Sequence, residues 1–181
     1  MKKDKERTRD RKFVVQFSGL SMGRHEFDFQ VDDSFFEQFS NSEISKGDFT
    51  VRLELLKQST MLVLDFDIRG SVNVECDRCS EAFDLHVEGQ SRLIVKIGNE
   101  DFEEESDIIV IPSTESEIDV SHSIYEYIIL SLPQRRVHPV DKKGRSGCDP
   151  ETIKKLEKVL LKEEKKRTDP RWDKLKKLKF K

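Results

Sequence analysis

Cysteine is scarce in this chain: three residues in 181. Three thiols do not build the disulfide framework of a small secreted scaffold, and they point to a reducing compartment. Met1 to Lys12 is almost wholly charged, which leaves no apolar stretch there for a signal peptide. No apolar run approaches the roughly 20 residues that a bilayer-spanning helix needs. The expected location is therefore the cytoplasm, with no membrane partner. A glycine-rich phosphate loop, a Gly-x-Ser-x-Gly elbow and any internal repeat are also missing. With no catalytic constellation in view, the expectation is a protein that is not an enzyme and takes no small-molecule substrate.

Charge is plentiful, at 38% of residues against 35% hydrophobic. The net charge of −3 conceals an uneven distribution. Residues 1–12 carry seven Lys/Arg and three Asp/Glu, a net +4. Residues 151–181 carry thirteen against six, a net +7, while residues 13–150 carry thirteen against twenty-seven, a net −14. Basic ends on an acidic body attract polyanions, unless they only pack on that body or stand solvated.

The middle of the chain alternates at period two. Phe13–Phe17 reads as a short strand and His25–Val31 as a half-buried one. Asp32-Asp33-Ser34 offers N-cap chemistry for a short helix through Phe39, with Phe35, Phe36 and Phe39 as its apolar stripe. Phe49, Val51, Leu53 and Leu55 alternate with polar residues. Leu62, Leu64, Phe66 and Ile68 recur in phase at the same period, and Ser71–Glu75 continues the strand past a bend or bulge at Gly70. Residues around Ala82–Val87 and Leu93–Ile97 read as two further strands. Residues 99–119 hold nine Asp/Glu and no Lys/Arg, and Asp107–Ile111 is an edge-strand candidate within them. This acidic cluster lacks calcium-loop spacing, so a solvated loop is the simpler reading. A helix is expected from Asp119-Val120-Ser121 to about Leu132, facing inward through Ile124, Tyr127, Ile128 and Leu132 and ended by Pro133. Asp149-Pro150 and Asp169-Pro170 each cap a further helix.

The expected fold class is α+β: an antiparallel β-rich meander or barrel-like core, a few packed helices and a basic helical C-terminal extension. The expected divisions are a disordered basic tail over 1–12, a β-rich core over 13–133 with the acidic insert 99–119, and a basic loop with helical extension over 134–181.

One run carries possible chemistry: Cys76-Asp77-Arg78-Cys79, between two strand patterns. Thiols three positions apart can share a metal or close a redox ring. A structural zinc takes four ligands, and this run has two. Cys148, His25, His86, His122 and His138 are the available partners. A zinc set of Cys76, Cys79, Cys148 and His138 is stoichiometrically possible, although no second paired motif demands it. Thioredoxin-like chemistry favours a pair at a helix N-terminus, whereas this pair sits at a strand boundary. Two partly buried structural thiols in a β-turn are the plain alternative, so the expectation is no cofactor, with zinc as the option. His138 read alone is an ordinary histidine in a basic loop.

The C-terminal segment offers a second kind of chemistry. Lys165, Lys166, Arg167, Arg171, Lys174, Lys176 and Lys177 can neutralise phosphates, and Trp172 can stack on an unpaired base. Trp172 with Leu175 and Leu178 can equally dock on protein.

Taken in order, these elements resemble a known family. Cys76-Asp77-Arg78-Cys79 precedes Glu81-Ala82-Phe83; an acidic insert follows; Ile118-Asp119-Val120 opens a helix that runs into Leu130-Ser131-Leu132-Pro133; and the chain closes on Asp169-Pro170-Arg171-Trp172 with Leu175 to Leu178. The set resembles the bacterial YceD family of large ribosomal RNA subunit accumulation proteins over roughly residues 13–178. The resemblance implies a non-enzymatic factor needed for accumulation of 23S ribosomal RNA, with ribosomal RNA, a pre-large-subunit particle or a ribosomal protein as partner. It also implies that Cys76, Arg78 and Cys79 stand in the central motif, and Asp169, Pro170 and Arg171 in the terminal one. Some relatives carry further cysteines after the Leu-x-x-Pro helix that would complete a zinc site; this chain has only Cys148 there. Arg78 joins the basic residues above as a candidate nucleic-acid contact. Two other roles stay open: a zinc- or thiol-dependent regulator, and an adaptor whose acidic segment binds a basic ribosomal protein.

Overall fold

The computed structural model describes residues 11–39, 42–98, 108–140 and 143–160. The chain divides into two units: Met1–Glu75 with Ala82–Arg136, and Cys76–Glu81 with Val137–Lys181.

The first unit is built on a sheet of five strands: β2 (Gly23–Val31), β3 (Gly47–Lys57), β4 (Met61–Glu75), β5 (Ala82–Ile97) and β6 (Ile108–Ile111), in that spatial order. Strands β2 to β5 form the expected antiparallel meander. β6 instead runs parallel to β5, with Ile94 opposite Ile108 and Ile97 opposite Ile111. It is the edge strand the sequence suggests. β2 and β6 lie at opposite edges of the open sheet, and among the described residues no pairing closes a barrel. A second, two-stranded sheet pairs β1 (Val14–Gln16) with β7 (Glu117–Asp119), a strand that the acidic sequence around it conceals.

Period-two alternation selects the core face. Val51, Leu53 and Leu55 stand opposite Ile68, Phe66 and Leu64, and Leu64 and Leu62 stand opposite Leu93 and Val95. All of these are buried. Each such side chain contributes on the order of 1.5–3 kcal/mol of transfer free energy. The other face carries cross-strand ion pairs, among them Arg52–Asp28 at 3.2 Å and Arg92–Asp65 at 2.6 Å. They are exposed, and such pairs contribute little to stability.

Three sequence expectations need correction. The first helix, α1 (Asp33–Phe36), stops short of Phe39. Its N-cap residue Asp32 makes no side-chain capping bond, and the Asp33 carboxylate instead accepts from the Gly47 backbone N–H at 2.8 Å. Phe35 and Phe36 are nevertheless buried. Gly70 makes neither bend nor bulge: pairing continues through it on both sides, with Phe49 and with Val87. A Cβ there would lie 2.2 Å from the Asp48 carbonyl oxygen, so glycine is required by close backbone approach. Finally, residues 82–97 form one sixteen-residue strand rather than two, with Gly89 lying where a Cβ would meet the Ser131 hydroxyl.

Helix α2 (Ser121–Leu130) follows β7. The Asp119 carboxylate accepts from the Ser121 N–H at 2.9 Å at its start. Ile124 and Ile128 are fully buried, and Tyr127 sets its ring 5.2 Å from that of Phe66. Tyr125 stacks on Phe39 at 4.0 Å, so both tyrosines serve packing.

The second unit contains the Cys76–Glu81 connection between β4 and β5 together with residues from Val137 onward, including helix α3 (Pro150–Leu160). The expected helix from Asp169-Pro170 lies outside the described residues.

Candidate metal centre

The Cys76–Glu81 segment is a tight turn. The Cys76 N–H donates to the Glu81 carbonyl at 2.9 Å and the Ser80 N–H to the Cys76 carbonyl at 2.8 Å. Ser80 adopts a left-handed backbone with φ of 60°, a conformation uncommon outside glycine. This closure brings the Arg78 N–H to 3.5 Å from the Cys76 sulfur, while the Arg78 side chain faces solvent.

The second arm is a short return of the chain after Val137. Val140 bridges Ser146, Gly144 takes φ of 78°, and the Gly147 N–H donates to the Pro139 carbonyl at 3.2 Å. A Cβ at Gly147 would press on His138 at 3.3 Å. Cys148 then donates its N–H to the Ser146 hydroxyl at 3.3 Å. Asp149 starts α3, its carboxylate accepting from the N–H groups of Glu151 at 3.2 Å and Thr152 at 2.8 Å. Bonds from Thr152 and Glu151 hold that carboxyl below its ordinary range.

These two arms bring four side chains together. The Cys76 and Cys148 sulfurs are 3.8 Å apart, and the Cys79 sulfur is 3.4 Å from His138 Nδ1. One donor atom from each of Cys76, Cys79, His138 and Cys148 lies within 4.8 Å of every other. The three thiols are free and buried, and the imidazole is half-buried. Burial pushes the Cys76 thiol up, but N–H groups of Arg78, Cys79 and His138, with the His138 ring, outweigh it and bring the thiol down to about 6. Burial pushes Cys79 up, reinforced by the neighbouring Cys76 and Cys148. A thiolate-rich set with one imidazole is a soft donor cluster, suited to zinc rather than to calcium or magnesium.

His25, His86 and His122 stand elsewhere, bonded to the Ser21 carbonyl, to Glu88 and to Glu126. Lys165, Lys166, Arg167, Arg171, Trp172, Lys174, Lys176 and Lys177 lie outside the described residues. The supports at Ser80 and Ser146 escape sequence reasoning, whereas the Asp149 cap is the one that the Asp-Pro step after Cys148 signals.

Fold and cluster together describe a β-meander protein with a compact three-thiol, one-imidazole centre. The family whose model matches residues 64–179, more than half of the chain, is "Large ribosomal RNA subunit accumulation protein YceD". The chain belongs to the YceD family. The matched span begins in β4 and takes in both arms of the cysteine cluster. No curated protein and no solved structure matches the chain. No described helix is long and apolar enough to cross a membrane.

Proposed function

We propose that this chain supports accumulation of large-subunit ribosomal RNA without a catalytic step, by binding the RNA or a precursor particle that contains it. The family supplies the process. The observation that favours direct RNA contact is the division of charge, with −14 over residues 13–150 against +7 over residues 151–181. Phosphate binding rests on such concentrated basic charge. Within α3, Lys154, Lys155 and Lys158 are exposed, as contact with a polyanion requires. Arg78 is the contact proposed from the cysteine turn, and the basic residues beyond 160 supply the remainder.

The test is crosslinking of the full chain to RNA in cells, read at nucleotide resolution, together with co-sedimentation in low and high salt. The expected result is crosslinks in large-subunit RNA and salt-sensitive migration with large-subunit precursors. No crosslinks, with unchanged 23S levels on deletion, would sink the reading. Migration that survives removal of charge in 151–181 but disappears on neutralising the acids of 99–119 would instead favour an adaptor that binds a basic ribosomal protein.

A further inference from the structure

We propose that Cys76, Cys79, His138 and Cys148 bind one zinc ion in a closed tetrahedral site, and that this ion is the core of the unit formed by residues 76–81 and 137–160. The inference goes beyond the RNA reading and holds whether or not the chain touches RNA.

Ligand geometry is the first support. Zinc bonds of about 2.3 Å to sulfur and about 2.0–2.1 Å to nitrogen make tetrahedral edges of about 3.8 Å between two sulfurs and about 3.5 Å between sulfur and nitrogen. The Cys76–Cys148 separation is 3.8 Å and the Cys79–His138 separation is 3.4 Å. The remaining edges stay within 4.8 Å. Two sulfurs at 3.8 Å are too far apart for a disulfide and correctly spaced to share an ion.

The second support is what the unit lacks. Among its described residues, the three cysteines are the only buried ones. Val140, Leu156 and Val159 are exposed. Apolar burial of this kind does not hold so small a unit together, and chains in this position depend on a metal or a disulfide. A zinc ion would join the turn after β4 to a segment about sixty to seventy residues downstream, as the sequence separations of 59 and 72 require.

Occupancy explains the chemistry of the ligands as well. Four protein donors complete the tetrahedron and leave no position for substrate, which marks a structural site. Three thiolates and a neutral imidazole leave one net negative charge, which the N–H dipole of Arg78 meets at the Cys76 sulfur.

The experiment uses the full chain, purified without chelator and assayed for metal by mass spectrometry, with cobalt substitution as an optical readout. The expected result is one zinc per chain and a cobalt spectrum of tetrahedral thiolate type. Cys76→Ser, Cys148→Ser and His138→Ala should each lose the metal, while His138→Cys and the control His25→Ala should keep it. Far-UV circular dichroism of the sheet separates metal loss from global unfolding. Metal-free protein, a Cys76–Cys148 disulfide, iron in place of zinc, or full zinc retention in His138→Ala and Cys148→Ser would each overturn the proposal.

Discussion

The sulfur of Cys76 stands 3.8 Å from that of Cys148, across 72 positions of sequence. Cys79 and His138 complete the same cluster, so the turn between β4 and β5 and the segment ahead of α3 meet through donor atoms rather than through apolar side chains.

If the cluster holds the proposed zinc, removing the ion should act locally. With a chelator present, amide hydrogen exchange is expected to rise over residues 76–81 and 138–148. Protection in β3, β4 and β5 should be unchanged, because their buried rows come from the first unit. Equal loosening of both regions, or of neither, would contradict this.

Gly70→Ala tests the close approach of β3 and β4. The new Cβ would lie 2.2 Å from the Asp48 carbonyl oxygen and 2.6 Å from the Phe49 ring. Backbone blocks relief, so the strands must separate. A destabilisation at or above the usual ~1–3 kcal/mol of overpacking is expected in urea unfolding. A neutral result would mean that the strands part easily at this point.

Lys57 is tied to a loop. Its ammonium donates to the Phe17 carbonyl at 2.8 Å, to Leu20 at 2.8 Å and to Ser18 at 3.3 Å. Lys57→Met keeps much of the apolar stem but leaves those carbonyls without the charge. A loss of about 1.5–3 kcal/mol is expected, the scale of hydrogen bonds to a charged group. Lys57→Arg should recover part of it if charge is what matters.

RNA affinity should fall with salt if the basic extension meets phosphate. Replacing Lys165, Lys166 and Arg167 together by glutamine should flatten the log–log salt dependence by about 0.7 for each phosphate of single-stranded RNA that is no longer neutralised. An unchanged slope would move the phosphate-binding surface elsewhere.

The meander was legible because its cause is local. The alternation of Phe49 to Leu55 and Leu62 to Ile68 assigns each residue to a face before any partner is known, and every apolar member of both rows is buried. Gly70 misled for a related reason. It reads as a bend or bulge, yet the neighbouring Asp48 belongs to β3, and only that neighbour shows why a side chain is excluded. β7 was concealed in the same way: three residues are too short to show a period, and the strand is defined by its pairing with β1.

By itself the sequence determined the faces of the strands, the uneven charge and the pairing of Cys76 with Cys79, since each follows from spacing of a few residues. It could offer Cys148 and His138 only as candidates by count. The tertiary structure decided that they meet the pair and that His25, His86 and His122 do not. The direction of β6 was decided there too, by its register on β5. No local rule links positions 59 or 72 apart; their distance depends on where the folded backbone returns.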